Sequence, residues 1–159
     1  MIVTITGTPG AGKTYISRKL TNFDYIDLNR IIKEERLYDS YDRKDKTYDV
    51  DVKKLKKLWK RFGKYKEKPL KVKAKMTLIE LKQSLKKHAG IIIDSHLSHH
   101  MPSDLCIVVK SDIKTIAKRL KKRGYAEKKI RDNIESEIFD VCLEEARDLG
   151  RNIVVIGNG

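Results

Sequence analysis

Hydrophobic positions follow two rhythms along this 159-residue chain. Four short runs are almost continuously apolar and rich in β-branched residues: 1–6, Ile91-Ile92-Ile93, 105–109 and 152–156. Runs of that length and composition predict strands buried on both faces. Between them, apolar residues recur at three- and four-residue spacing. That spacing predicts helices over 13–20, 28–36, 112–123 and 126–149, the last closed by Gly150, with further helical stretches from Val52 and over 76–87. Tyr25-Ile26-Asp27 reads as one more short strand, and 38–51 as a polar loop. Strands that alternate with helices and are apolar throughout predict an α/β fold. The expected architecture is three layers, with a parallel five-stranded sheet between helices, in a single domain spanning 1–159.

Composition narrows the classes. No apolar run approaches the roughly eighteen residues a membrane span needs, and residue 2 already enters the first strand pattern. A soluble, cytoplasmic protein without a membrane partner is expected. The two cysteines, Cys106 and Cys142, sit inside apolar patterns and read as buried thiols. Charge is distributed unevenly. Residues 53–75 hold twelve Lys/Arg and one acid, Glu67, so they carry +11 of the net +14. This block reads as a basic insertion into the domain.

Gly7-Thr8-Pro9-Gly10-Ala11-Gly12-Lys13-Thr14 fits G-x-x-x-x-G-K-[ST] directly after a predicted strand and at the start of a predicted helix. Glycines let such a loop curl its N–H groups toward phosphate oxygens. The helix N-terminus adds positive potential, Lys13 reaches the β/γ-phosphates, and the Thr14 hydroxyl can ligate Mg²⁺. A P-loop also needs a carboxylate at the end of a neighbouring strand to orient the metal. Asp94, closing Gly90-Ile91-Ile92-Ile93, is placed for that. ATP and Mg²⁺ are the expected cofactors. A guanine-reading N-K-x-D is absent, which disfavours a switch GTPase. Arg119 and Arg123 lie four apart before Gly124-Tyr125, a position suited to a hinged lid that neutralises a transferring phosphoryl group.

Several stretches together resemble the archaeal and eukaryotic nuclear-type adenylate kinases, the adenylate kinase isoenzyme six family. They are 7–14, 34–42 (Glu-Glu-Arg-Leu-Tyr-Asp-Ser-Tyr-Asp), Asp94-Ser95-His96, and 123–129 (Arg-Gly-Tyr-Ala-Glu-Lys-Lys). The match continues through 132–139 to Glu144-Glu145-Ala146. The resemblance implies a nucleoside-monophosphate-kinase-like P-loop fold and phosphoryl transfer from ATP to AMP as acceptor, with a side ATPase activity. By the same resemblance Gly7, Gly10, Ala11, Gly12, Lys13, Thr14 and Tyr15 lie on the ATP phosphates, with Arg119 nearby and Arg123 as lid arginine. Thr14 and Asp94 hold the metal, His96 positions water, 27–50 covers the monophosphate side, and about 122–132 forms a short lid. It also implies a role in small-subunit ribosome assembly and rRNA maturation, with a platform ribosomal protein as partner. A short lid excludes water poorly, so some hydrolysis is expected.

Other readings stay open at this level. An ATP-driven assembly switch with vestigial kinase activity, or a small-metabolite kinase, would use the same core. His96, His99 and His100 with Asp94 and Asp104 could be a zinc cluster, but Pro102 and the short loop argue against it. Trp59, Phe62 and Tyr65 among the lysines of 53–75 fit either an RNA-stacking face or, by their helical spacing, core.

Overall fold

In the computed structural model, residues 1–61 and 65–157 are described. The elements run β1 (Ile2–Thr6), α1 (Lys13–Lys19), β2 (Phe23–Asp27), α2 (Leu28–Glu34), β3 (Tyr38–Asp42), β4 (Thr47–Val50), α3 (Val52–Lys60), β5 (Lys75–Met76) and α4 (Leu78–Leu85). After these come β6 (Gly90–Asp94), a 3₁₀ turn (Ser98–His100), β7 (Leu105–Lys110), α5 (Ile113–Lys122), α6 (Glu127–Ile138), α7 (Val141–Asp148) and β8 (Ile153–Gly157). The predicted apolar runs are therefore strands, and the sheet is parallel with order β2-β6-β1-β7-β8-β5.

β1 is buried at all five positions and β7 at its first five, as strands with helices on both faces must be. One core joins Val3, Ile5, Ile92 and Ile107 to Ile16, Leu81 and Leu85. A second, on the other face, joins Ile2 and Ile93 to Leu28, Ile32, Leu55 and Leu58. The chain moves outward in one direction from β1 to β2 and in the other from β7 to β8. The C-terminal ends of β1, β6 and β7 thus flank a topological switch point, where open α/β sheets bind ligands.

The structure corrects the sequence reading in three places. The sheet has six strands rather than five. Lys75–Met76 pairs with Val155–Ile156, and a two-residue edge strand has no periodicity to detect. The predicted loop over 38–51 contains an antiparallel hairpin, β3–β4. Its stabilisation is aromatic: the Tyr48 ring lies 4.6 Å from Tyr38 and 4.7 Å from Tyr41. The Asp42 carboxylate accepts the N–H groups of Lys44 and Asp45, and Lys46 takes φ 50° to close the turn. The single helix predicted over 126–149 breaks at Asp140, which has φ 51°. Lys110 holds that corner, with Nζ 2.6 Å from Glu137 Oε1, 3.0 Å from the Glu137 carbonyl and 2.5 Å from Asp140 Oδ1.

The basic segment 53–75 is integrated with the fold. Asp51 caps α3, which buries Leu55 and Leu58 and turns Lys53, Lys56, Lys57 and Lys60 outward. Half-buried Trp59 meets Tyr65 edge-on at 5.6 Å, and both pack on the second core, so their role here is packing. Phe62 and Gly63 lie outside the described residues, as do Asn158 and Gly159. Asp104 is a fastener: it accepts the Ile2 N–H (2.8 Å), the Lys68 N–H (2.6 Å) and the Tyr65 hydroxyl. No described helix is long and apolar enough to cross a membrane.

Gly90 opens β6 with φ 152°, and a Cβ there would lie 1.9 Å from the Met1 carbonyl oxygen. Gly124, at φ 79°, has open space around it. Gly90→Ala is expected to cost more than about 3 kcal/mol because backbone must move. Gly124→Ala should cost roughly 1–2 kcal/mol, the left-handed penalty alone. Urea unfolding midpoints of the two variants check this ordering.

Candidate active site

A cleft of about 1000 Å³ opens at the switch point. The loop between β1 and α1 forms its floor. Gly10 and Gly12 adopt φ 88° and 99°, which side-chain-bearing residues rarely tolerate. A Cβ on Gly7 would also lie 2.6 Å from the Val109 carbonyl oxygen. The Ala11 side chain is buried in the core, and its N–H is donated to the Thr8 carbonyl at 3.0 Å. Gly12 is the N-cap of α1 and offers no side-chain acceptor to that helix end. The N-terminal residues of the helix line the cleft, which brings its positive dipole end to the cleft floor.

Lys13 folds back over the loop, donating to the carbonyls of Gly7 (2.8 Å) and Thr8 (3.2 Å). Burial lowers its pKa, while the nearby Asp94 carboxylate opposes that shift. Thr14 donates its hydroxyl to Asp94 Oδ2 at 2.9 Å. Strand register makes that contact possible, since Ile5 pairs with Asp94 and the Ser95 N–H bonds the Ile5 carbonyl. The sequence did not point to Tyr25 as a site residue, yet its hydroxyl donates to the same Asp94 Oδ2 at 2.8 Å. Burial first, then that hydrogen bond, push the Tyr25 pKa up to about 12. Thr14 and Asp94 form a hard oxygen donor set of the kind Mg²⁺ prefers, with room for waters in the open cleft. The residues present therefore fit that metal.

Arg119, on α5, donates Nη1 to the Gly10 carbonyl at 2.9 Å, so it braces the loop. Arg123 ends α5 and lines the cleft with an exposed side chain. Tyr15 lines the rim, with Lys19 Nζ 5.2 Å from its ring centre. The opposite wall carries Asp27, Asn29, Arg30, Lys33 and, from the hairpin, Lys46, Thr47 and Tyr48. Sequence periodicity missed the hairpin; its three spaced tyrosines were the available signal. Lys129 of α6 crosses to this wall and donates to the Asp45 carbonyl at 2.8 Å.

His96 also lines the cleft. Burial, then the Lys13 charge, push its pKa down to about 4, so it is neutral at pH 7. His99 and His100 belong elsewhere. His99 is fully buried, with Nδ1 2.7 Å from Thr6 Oγ1 and Nε2 2.7 Å from Glu145 Oε2. His100 Nε2 lies 3.9 Å from the same Glu145 oxygen. The zinc grouping considered from sequence is thus not assembled: Asp94 and His96 face the cleft, and Asp104 fastens the segment around Tyr65 and Lys68. His99, His100 and Glu145 do cluster. Arg151 presses on that cluster, donating to the His99 carbonyl (2.7 Å) and the His100 carbonyl (3.3 Å). Its guanidinium charge opposes a cation there. Both cysteines are free and buried, as expected.

The parallel sheet, the glycine loop and the carboxylate on the adjoining strand define a P-loop nucleotide-binding protein. A family model described as "AAA domain" matches residues 3–140. Over 159 residues the chain is 36% identical to a Pyrococcus furiosus protein named "Putative adenylate kinase", covering 98% of this chain and 74% of that one. A Methanocaldococcus jannaschii protein of the same name is 35% identical over 150 residues, 92% of this chain and 72% of its own. The "Adenylate kinase isoenzyme 6 homolog" of Schizosaccharomyces pombe is 35% identical over 152 residues, covering 92% and 74%. The chain belongs to this adenylate kinase isoenzyme 6 family and is an adenylate-kinase-like nucleotide kinase.

The histidine shifts set a pH dependence. A base whose folded-state pKa is depressed takes up its proton more readily when unfolded. Stability should therefore be full above about pH 6.5 and fall as pH drops from there toward 4. His99 and His100, also lowered by burial, add to the slope. In metal-free buffer, His96→Gln should flatten the fall in urea midpoint between pH 6.5 and 4 without abolishing it.

Proposed function

We propose that the chain is a magnesium-dependent ATP:AMP phosphotransferase with a side ATPase activity, acting in the cytoplasm in small ribosomal subunit assembly. The observation that carries the enzymatic part is the cleft itself. One end holds an anion-binding loop with Lys13, Thr14 and Asp94, the other a cation-bearing wall, and Arg119 and Arg123 lie between them. The names of the family's members support ATP as donor and AMP as acceptor.

In this reading the loop N–H groups and Lys13 bind the ATP phosphates. An oxygen of the AMP phosphate attacks the γ-phosphorus in line, and the bond to the β–γ bridging oxygen breaks. That oxygen stays on the departing ADP, and the acceptor becomes a second ADP. Mg²⁺ held by Thr14 and Asp94 would neutralise β- and γ-oxygens. Lys13, Arg119 and Arg123 neutralise charge on the transferring group. Residues 27–50, including the hairpin, cover the monophosphate, and the lid is 122–132. Neutral His96 beside the phosphate end accepts a hydrogen bond from a water, which links the site to hydrolysis. The lid contributes one short turn and the start of α6, so water reaches the γ-phosphate when AMP is absent.

Two features support a ribosomal setting: the lysines that α3 turns outward, and the platform ribosomal protein implied by the family resemblance. The outward row on α3 has the charge and spacing to follow an rRNA backbone.

ADP production from ATP should rise sharply when AMP is added, and Lys13→Ala should lower it by at least about a hundredfold. His96→Ala should reduce AMP-independent hydrolysis more than AMP-dependent transfer. Hydrolysis at one rate with or without AMP would instead mark an ATP-driven assembly switch. For the basic face, affinity for a single-stranded rRNA fragment should fall with a log–log salt slope of roughly 3, as for about four phosphates. Changing Lys53, Lys56, Lys57 and Lys60 to Gln should remove that slope, and a flat salt response in the parent protein would rule out the RNA contact.

A further inference from the structure

Asp94 is a nearly buried carboxylate at the end of β6, and its backbone is fixed on both sides by pairing with Ile5 and Asp27. The side chain still has a free torsion, broad for a carboxylate, that decides which oxygen faces the cleft. Two hydroxyl donors settle it by converging on one atom. Thr14 Oγ1 reaches Oδ2 from α1 at 2.9 Å, and Tyr25 OH reaches the same oxygen from β2 at 2.8 Å. Oδ1 accepts no hydrogen bond from the described residues.

The two donors differ in what else they can do. Thr14 is the metal's candidate ligand: with its single proton on Asp94, its lone pairs are free for a cation. Tyr25 lines the cleft wall from β2, with its hydroxyl beside both Asp94 and Thr14. Its ring is 45% exposed. What it supplies is a second, chargeless anchor on Oδ2, from the strand next to β6. Without it the carboxylate is held by Thr14 alone, the residue that must also serve the metal.

We propose that Tyr25 is a positioning residue for the metal site: it locks the Asp94 carboxylate so that Oδ1 is presented to the Mg²⁺ shell and Thr14 keeps its lone pairs for the ion. This rests on the reading of Asp94 and Thr14 as the metal-holding pair. A partner that orients a metal-binding carboxylate commonly changes metal affinity ten- to a hundredfold when lost.

The test is titration of Mg²⁺ into the protein with a fluorescent ATP analogue, following analogue binding rather than turnover, for the parent protein, Tyr25→Phe and Asp94→Asn. Tyr25→Phe keeps the ring and removes only the hydroxyl. The Mg²⁺ midpoint is expected to rise roughly tenfold in Tyr25→Phe, while analogue affinity without metal is unchanged. Steady-state kcat of Tyr25→Phe should be low at limiting Mg²⁺ and recover when Mg²⁺ is saturating. An unchanged midpoint in Tyr25→Phe, with a large shift in Asp94→Asn, overturns the proposal and leaves the metal reading standing. Equal loss of analogue binding with and without Mg²⁺ also overturns it, because the phenol would then serve the nucleotide. If Asp94→Asn leaves the Mg²⁺ dependence intact, the metal reading fails and takes this proposal with it.

Discussion

Parallel pairing of β1 with β6 is the constraint on which the cleft depends. A parallel ladder fixes the relative height of two strands to within a residue, and here it sets Ile5 against Asp94. The chain after β1 turns into the glycine loop, while the chain after β6 presents a carboxylate beside it. Had the register slipped by one residue, Asp94 would point to the opposite face of the sheet. The core prevents that slip. Ile92 on one face and Ile93 on the other are both buried, so either shift would put a large apolar side chain in the wrong layer. Packing energy distributed over the sheet is thus what places two polar groups within 2.9 Å of one another.

Electrostatics then act on that fixed frame. Half-buried Lys13 keeps its ammonium on two loop carbonyls, and Arg119 holds a third. The cations are therefore stored on backbone oxygens rather than on acids, except for the pull of Asp94. Carbonyls release a cation more cheaply than carboxylates do, because a charge-assisted pair between two ions is the stronger bond. An incoming polyanion meets groups that can be redirected toward it at modest cost. His96 adds a polar but uncharged surface at the same end, since the field of Lys13 and its own burial keep it unprotonated.

Much of this was legible in the sequence. The glycine loop identified itself, because only its residue types allow the backbone path, and Asp94 followed from its place at the end of an apolar run. Both lie where the elements predicted. Other parts were written in signals too local or too mixed to read. The break at Asp140 lies in continuous helical periodicity and is imposed by Lys110, which is remote in sequence. The hairpin carries tyrosines and charges where strand patterns usually carry aliphatic residues, and its turn uses Lys46 at positive φ in place of glycine. Tyr25 was counted only as part of a strand. Its contact with Asp94 spans 69 residues, and no pattern of spacing encodes a meeting between two adjacent strands that are so far apart in the chain. The histidine triplet separates as the sequence reading favoured: His96 faces the cleft, while the 3₁₀ turn sends His99 inward to Thr6 and Glu145.

The fastening of residues 53–75 bears on what removing such a segment would cost. An appendage joined at two points could be deleted cleanly, but this one is tied to the fold along its length. Its first helix covers Ile2 and Ile93, Tyr65 and Lys68 satisfy Asp104, and Lys75 and Met76 close an edge of the sheet. Excising it would strip one core, leave the Asp104 carboxylate with the Ile2 N–H in place of three donors and expose β8 as a bare edge. The two halves of the segment thus answer to different constraints: its inward residues are held by the packing of the fold, and its outward lysines only by what they meet in solution.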